Sequence, residues 1–254
     1  MSDGSVHPGY RASSSRSWSY AAGVSCAVVA VALVALGVVR PTEMTRGFLA
    51  GVTVVLAVEL VVFRRTIERA HREGGPQRIT LATWITILRG AALALLAGFL
   101  TVGGLSGQFV WAPGVLFAIA AALDAVDGAV ARATDSVTVL GERLDVELDG
   151  LTVLVGATAV VVEGSAPVAF LAVGFARYLF VFGIWSRHRR GLAVSGLPPS
   201  QLRRFFGAAA MVAIWLALLP VPGQRLSWLL TTAVMGPFLL HFGRDWLAVS
   251  RGGR

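Results

Sequence analysis

Four of the five aspartates within residues 123–150 form two pairs at helical spacing. Asp124 and Asp127 lie three residues apart, and Asp145 and Asp149 lie four residues apart. Residues at these intervals share one face of an α-helix, so each pair points its carboxylates in one direction. A hairpin of the two helices would bring all four carboxylates together. Oxygen ligands without His or Cys suit Mg²⁺ or Mn²⁺ better than zinc.

The charge of this stretch requires a positive partner. Residues 123–150 hold seven of the fourteen acidic residues of the chain and two arginines, which gives a net charge of −5, and apolar runs flank them. A carboxylate within the low-dielectric part of a membrane is costly unless it is paired or binds a cation. We therefore expect bound divalent metal, with open coordination positions for phosphate oxygens.

Small residues accompany the aspartates. Gly128 and Ala131 lie on the helix face of the first aspartate pair, and Gly141 lies on the face of the second pair. Glycine weakens a helix but lets a ligand approach the backbone. Close packing of helices in a membrane would explain the same glycines.

The composition indicates several membrane spans. The 254 residues are 56% hydrophobic and only 14% charged, with a mean hydropathy of +0.72, and this balance is unlike that of a soluble globular protein. All twenty-two basic residues are arginine, and they lie in short segments between apolar runs. This pattern predicts charged loops and not a nucleic-acid-binding surface, so we expect no nucleic acid as a partner.

Eight helices are predicted to cross the membrane. They cover about residues 20–39, 47–63, 79–102, 106–132, 139–163, 165–186, 204–221 and 226–243. If the N-terminus is cytoplasmic, seventeen arginines fall in cytoplasmic segments, three outside and two within spans. The positive-inside rule thus predicts a multi-pass cell-membrane protein whose termini and acidic stretch face the cytoplasm.

Residues 124–149 have the pattern D-x2-D-G-x2-A-R-x8-G-x3-D-x3-D. This pattern resembles the signature of the CDP-alcohol phosphotransferases, and all eight named positions match with the spacing of that family. The resemblance extends over six predicted spans, from about Arg78 to Arg244. It implies transfer of a phosphatidyl-type group from a CDP-linked lipid to an alcohol acceptor, with release of CMP, in phospholipid biosynthesis.

The resemblance also implies roles for individual residues. Asp124, Asp127 and Asp145 would hold two divalent ions, Mg²⁺ or Mn²⁺, and Asp149 would help to bind metal and would act as the catalytic base on the acceptor hydroxyl. The residues implied at the CDP group are Thr86, Gly128, Ala131, Arg132 and Gly141. The resemblance suggests a homodimer surrounded by membrane lipids.

Three positions depart from the pattern common in the family. On the preceding helix, many members have P-N-x-x-T-x-x-R, whereas this chain keeps Thr86 and Arg89 but has Ala82 and Thr83 in place of Pro and Asn. Gly150 stands where many members have a basic residue after the last aspartate.

Arginines near the cytoplasmic surface are the candidates for binding the acceptor or a phosphate. They are Arg89, Arg177, Arg187 and Arg190. If they contact the acceptor, that acceptor is anionic, such as glycerol 3-phosphate or inositol phosphate. Structural pairing of Arg177 with an aspartate, and topology or anionic-lipid contacts of the others, remain alternatives. Glu59, alone in the second span, is expected to pair with an arginine.

The predicted fold is therefore an all-α polytopic membrane helix bundle. Its segments are a flexible cytoplasmic tail at 1–19, two accessory transmembrane helices at 20–64, a cytoplasmic linker at 65–78 that is either interfacial or solvated, a six-helix catalytic domain at 79–246 and a cytoplasmic tail at 247–254.

Two other functions use similar residues. A UbiA-like prenyltransferase also binds Mg²⁺ through Asp-rich motifs, but its two motifs lie in separate halves of the chain. A divalent-cation transporter would need a polar pathway through the bilayer, whereas the residues before Asp124 read "GVLFAIAAAL". Both readings are weaker than that of a CDP-alcohol phosphotransferase.

Overall fold

The computed structural model describes residues 8–39, 46–74, 80–102, 105–135, 137–196 and 200–251, and these residues form helices joined by short turns and loops, without a strand. The eight helices within them are α1 (Pro8–Val39), α2 (Arg46–Gly74), α3 (Leu81–Phe99), α4 (Ala112–Ala133), α5 (Val139–Val162), α6 (Leu171–Arg189), α7 (Gln201–Ala217) and α8 (Gly223–Arg251). Short 3-10 turns precede α4 and α6. The predicted all-α polytopic bundle is confirmed.

Five helical segments of the described chain are long and apolar enough to cross a membrane. They are Arg46–Glu73, Leu81–Phe99, Gly107–Ala133, Val168–Arg189 and Gly223–Ser250. Three other predicted spans do not meet this criterion. The apolar part of α1 covers only Trp18–Val34, α7 has only 17 residues, and α5 carries five charged side chains in its first half. The chain is therefore a membrane protein, and its predicted orientation stays a prediction.

The chain divides into two compact units. The first consists of Met1–Leu105 and Val115–Asp149, and the second consists of Ser106–Gly114 and Gly150–Arg254. All four aspartates of the motif lie in the first unit. The two helices predicted to be accessory, α1 and α2, belong to that same unit.

Helix α3 lies at the centre of the first unit. Thr80 caps its N-terminus, where the threonine hydroxyl accepts a hydrogen bond from the backbone N–H of Thr83 at 3.3 Å. Alanine and leucine, both strong helix formers, fill most of the helix. Fourteen of its 19 residues are buried, and both α1 and α2 pack against it.

Glycines allow α2 and α3 to approach closely. A Cβ atom added to Gly51 would lie 2.5 Å from the carbonyl oxygen of Ala97, and one added to Gly98 would lie 2.8 Å from the ring of Phe48. That ring also meets Phe99 edge to face, with 5.1 Å between the centroids. Small residues at such a contact are typical of helix packing within membranes.

The start of α1 differs from the sequence-based expectation. The sequence predicts a flexible tail over 1–19, but α1 begins at Pro8, a residue that suits the first turn because that turn needs no proline N–H. Residues 1–7 lie outside the described part of the chain. The indole Nε1 of Trp18 donates a hydrogen bond to the carbonyl of Leu60 at 3.2 Å, which ties α1 to α2.

The predicted linker at 65–78 is instead largely a continuation of α2. That helix runs to Gly74 without a break, and Ile67 and Ala70 are buried in the protein. The apolar side predicted to lie on a membrane surface or in solvent thus packs internally. Residues 75–79 lie outside the described part.

The second unit contains α6, α7 and α8, with α7 and α6 both packed on α8. Gly183 lets α6 approach the indole of Trp246, because a Cβ there would lie 2.4 Å from that ring. Arg203 Nε donates to Asp245 Oδ2 at 2.8 Å and joins α7 to α8. The predicted tail at 247–254 is helical as far as Arg251, and residues 252–254 lie outside the described part.

Candidate metal and nucleotide site

The two aspartate pairs lie on consecutive helices of the first unit, α4 and α5. The connection between these helices contains Asp135, whose φ of 47° is in the left-handed region, where aspartate is tolerated better than most residues. Thr138 then begins α5, since its hydroxyl accepts the backbone N–H of Gly141 at 3.0 Å. This short connection makes the hairpin that the aspartate spacing predicts.

Three of the four carboxylates meet. Asp124, Asp127 and Asp145 each place an oxygen within 4.8 Å of the others. Asp127 is buried, with 4% of its surface exposed, and the other two are half-buried. This is an all-oxygen donor set of the kind that hard divalent cations prefer.

A threonine of α3 holds the buried member of this set. The Thr86 hydroxyl donates to Asp127 Oδ2 at 2.8 Å, and it also lies 3.0 Å from the carbonyl of Ala82. The sequence predicts Thr86 as a contact for CDP, whereas in the structure this buried hydroxyl orients an aspartate.

Arg89 of α3 contacts the remaining carboxylates. Its Nη1 atom pairs with Asp124 and lies 3.2 Å from Asp149 Oδ1, and its Nη2 atom lies 2.9 Å from Asp145 Oδ1. The same Nη2 atom donates to the backbone carbonyl of Asp145 at 3.2 Å. The sequence predicts Arg89 as a contact for acceptor or phosphate, but the residue is fully buried and its amino groups bond these aspartates.

Asp149 lies outside the three-carboxylate cluster. Arg89 links it to Asp124 and Asp145, and its side chain is 54% exposed. The structure thus joins Asp149 to the cluster through a guanidinium. The exposed position leaves the carboxylate accessible to a substrate.

The face of α4 beside the aspartates carries Gly128 and Arg132. The three atoms nearest to a Cβ added at Gly128 all belong to the Arg132 guanidinium, at 3.2 to 3.8 Å, so this exposed arginine folds over the glycine. Ala131 beside them is half-buried. At Gly141 the nearest atom to an added Cβ is the Thr138 hydroxyl oxygen at 3.1 Å.

Comparison with known proteins now decides the family. A family model described as CDP-alcohol phosphatidyltransferase matches residues 79–239, more than half of the chain. The chain belongs to the CDP-alcohol phosphatidyltransferase family. No curated protein and no solved structure matches it.

The CDP-alcohol phosphatidyltransferases transfer substituted phosphate groups from a CDP-alcohol donor to an alcohol acceptor, and they generally use a divalent metal. The aspartate cluster fits such an ion. When ionised, the four aspartates together with Arg89 carry a charge of −3, so Arg89 alone does not neutralise them. The match favours this family over the prenyltransferase and transporter alternatives.

The other predicted arginines of this family member lie in the second unit. Arg177 of α6 packs against Gly150, where an added Cβ would lie 2.4 Å from Arg177 Cδ. The glycine therefore makes room for the arginine. Arg187 donates to the carbonyls of Ala193 at 3.0 Å and Ser250 at 2.8 Å, while Arg190 is exposed.

The Nη2 group of Arg187 bonds two backbone carbonyls, one of them at the C-terminal end of α8. The sequence around Arg187 does not predict these two hydrogen bonds, because they depend on where the segments that contain Ala193 and Ser250 lie in the fold. Arg177, Arg187 and Arg190 all stay predicted contacts for the acceptor.

Glu59 of α2 also differs from its predicted pairing with an arginine. It is 1% exposed, and neither carboxylate oxygen has a hydrogen-bond partner among the described residues. The carboxylate packs against Gly90, where an added Cβ would lie 2.9 Å from its Oε2 atom. Spacing along α2 alone does not reveal this contact, because the glycine belongs to α3.

Proposed function

We propose that this protein transfers a phosphatidyl-type group from a CDP-linked lipid, such as CDP-diacylglycerol, to an alcohol and releases CMP, as a step in phospholipid biosynthesis. The observation that carries the proposal is the convergence of Asp124, Asp127 and Asp145 within 4.8 Å. These aspartates occupy the named positions of the family motif, and the family model covers them.

Asp124, Asp127 and Asp145 would hold Mg²⁺ or Mn²⁺, with Asp149 contributing to a second ion. Bound there, the metal would neutralise charge that develops on the diphosphate. Thr86 fixes the carboxylate of Asp127 by its 2.8 Å hydrogen bond. The Asp127 carboxylate would thus need little rearrangement to bind the ion.

Arg132 would bind the diphosphate of the donor. A guanidinium can donate two parallel hydrogen bonds to phosphate oxygens, and this arginine is exposed directly over Gly128. Moving its side chain aside would uncover the glycine backbone. Gly128, Ala131 and Gly141 would then leave room for the cytidine.

Asp149 would act as the base. The acceptor oxygen attacks the phosphorus that carries the lipid, a new P–O bond forms, and the P–O bond to CMP breaks. The proton of the acceptor hydroxyl passes to an Asp149 carboxylate oxygen, and CMP leaves with the bonding electrons. The half-exposed Asp149 side chain is accessible for this transfer, and its Oδ1 atom is oriented by Arg89 at 3.2 Å.

Arg177, Arg187 and Arg190 are the proposed contacts for an anionic acceptor such as glycerol 3-phosphate or inositol phosphate. A homodimer in the cell membrane, with both termini and the site at the cytoplasmic face, completes the proposal. Its support is the family resemblance and the distribution of arginines along the sequence.

The decisive experiment measures CMP release by the purified protein with CDP-diacylglycerol and Mn²⁺. The acceptors to compare are glycerol 3-phosphate, inositol, inositol phosphate, serine and a second lipid. One of them should support CMP release, and chelation of the metal should abolish it. No release with any acceptor would refute the proposed donor or reaction.

Asp149→Asn tests the base. We expect CMP release to fall about 100-fold or more, since general-base catalysis contributes at least that much. Asp135→Asn is the matched control, because this exposed aspartate in the α4–α5 connection has a left-handed backbone that asparagine also adopts. Full activity of Asp149→Asn would overturn its assignment.

A further inference from the structure

Arg89 is the largest fully buried side chain among the described residues. It extends from α3 in the middle of the first unit, and every polar contact described for it is with Asp124, Asp145 or Asp149. Burying a guanidinium is costly unless it is paired and hydrogen-bonded. The contacts with these three aspartates therefore have to offset the cost of burying the Arg89 guanidinium.

The geometry requires an arginine. Two Nη atoms reach three carboxylates and one backbone carbonyl, at 2.9 to 3.2 Å for the contacts with Asp145 and Asp149. The planar guanidinium presents several donors in a rigid fork, whereas the single ammonium of lysine is a compact point charge. A lysine could supply the charge but could not hold all three carboxylates in the same arrangement.

Helix α3 thereby provides a partner for each of the four motif aspartates. Thr86 holds Asp127, and Arg89, one helical turn later, holds the other three. Carboxylates this close repel one another and, without a cation, would move apart.

We propose that Arg89 is a positioning residue that acts as the fixed internal cation of the metal site, holding Asp124, Asp145 and Asp149 in place before the metal binds. The proposal rests on the metal binding proposed above for these aspartates. According to this proposal, Arg89 contacts the aspartates of the metal site and does not contact a substrate. It also explains why the residue is closed off from solvent while Arg132 is exposed.

A measurable consequence follows for the stability of the metal-free protein. With Arg89 in place, removing the metal leaves one positive charge among the carboxylates, so we expect wild-type protein to unfold only moderately earlier in EDTA than in Mn²⁺, by the amount that binding of the ion to the folded state adds. Without Arg89, the metal becomes the remaining cation at the cluster. The difference between the two unfolding temperatures should then grow.

The experiment compares thermal unfolding of the full-length protein in detergent, with EDTA and with Mn²⁺. For Arg89→Met we expect the unfolding temperature in EDTA to fall by roughly 10 °C, as for a buried ion pair that loses one partner, and Mn²⁺ to recover much of the loss. Arg89→Lys should lie between wild type and Arg89→Met. Arg143→Met is the matched control, since this arginine pairs with Glu73 at a partly exposed position, and its metal-dependent difference should match that of wild type.

A double variant separates charge from packing. If Arg89→Met is too unstable to purify or is destabilised as expected, adding Asp149→Asn removes one of the repelling carboxylates and should raise its unfolding temperature or yield. An equal loss of stability in EDTA and in Mn²⁺, or a double variant no better than Arg89→Met, would show that Arg89 acts by packing alone and would overturn the proposal.

Binding of Mn²⁺ to the wild-type protein, followed by the electron paramagnetic resonance signal of free Mn²⁺, distinguishes the two hypotheses. Absence of binding would refute the proposed metal site. Binding by the wild type, together with an unchanged metal-dependent difference in Arg89→Met, would refute only the role of Arg89.

Discussion

Replacing Gly51 with alanine tests whether α2 is integral to the unit that carries the aspartates. The added Cβ would lie 2.5 Å from the carbonyl oxygen of Ala97, 3.0 Å from its carbonyl carbon and 3.2 Å from the Cα of Gly98. All three atoms belong to the backbone of α3, so a rotamer change cannot relieve the clash. The two helices have to separate.

The expected cost follows from these contacts. Overpacking at a tight contact costs about 1–3 kcal/mol, and separating the helices would also weaken the edge-to-face contact of Phe48 with Phe99, which adds about 0.5–1.5 kcal/mol. We therefore expect Gly51→Ala to lose about 1.5–4.5 kcal/mol of stability, less up to about 1 kcal/mol that the higher helix propensity of alanine returns. Because Thr86 and Arg89 lie on α3, CMP release should also fall.

The assay is unfolding of the detergent-purified protein by heat or denaturant, together with CMP release below the unfolding temperature. Gly23→Ala is the control. Nothing lies within 4 Å of a Cβ added to Gly23 of α1, and alanine favours a helix by up to about 1 kcal/mol over glycine. If Gly51→Ala were as stable and active as Gly23→Ala, α2 would not be packed tightly on α3, and the view that α2 supports the site would be refuted.

Two further substitutions test individual bonds of the site. Thr86→Val leaves the buried Asp127 carboxylate without its 2.8 Å hydrogen bond. We therefore expect the free energy of unfolding to fall by about 1.5–3 kcal/mol and the enzyme to require more Mn²⁺. Thr86→Ser should stay close to wild type, and equal behaviour of the valine and serine variants would contradict this. Arg132→Ala should lower kcat/KM for the CDP-lipid by roughly 10- to 100-fold, as expected for loss of a charge-assisted hydrogen bond, and an equal loss in Arg143→Ala would show that the effect is not specific to the donor site.

The aspartate cluster could be predicted from the sequence because its causes are local. Spacings of three and four residues determine the face of each helix, and a short connection determines the hairpin. The meeting of Asp124, Asp127 and Asp145 follows from those two facts. Asp149 lies farther along α5, so its link to the others depends on Arg89, a residue of another helix.

The contribution of α1 and α2 could not be read from the same kind of pattern. The sequence shows two apolar runs before the family motif, and hydropathy alone assigns them to the membrane. Helix α2 packs closely against α3 because Gly51 of α2 has no side chain where the backbone of Ala97 of α3 lies. Such a contact involves residues 46 positions apart in the chain, and no local periodicity indicates it.

The departure from the P-N-x-x-T-x-x-R pattern has a structural counterpart at the start of α3. Where many family members have Pro and Asn, this chain has Ala82 and Thr83, and Thr80 caps the helix by accepting the N–H of Thr83. Both substituted residues are buried. The cap residue Thr80 lies six and nine residues before Thr86 and Arg89. The two positions that the chain keeps are those that hold the aspartates. We therefore interpret the retained threonine and arginine as parts of the metal site, and the altered Pro and Asn positions as a change in how the helix begins.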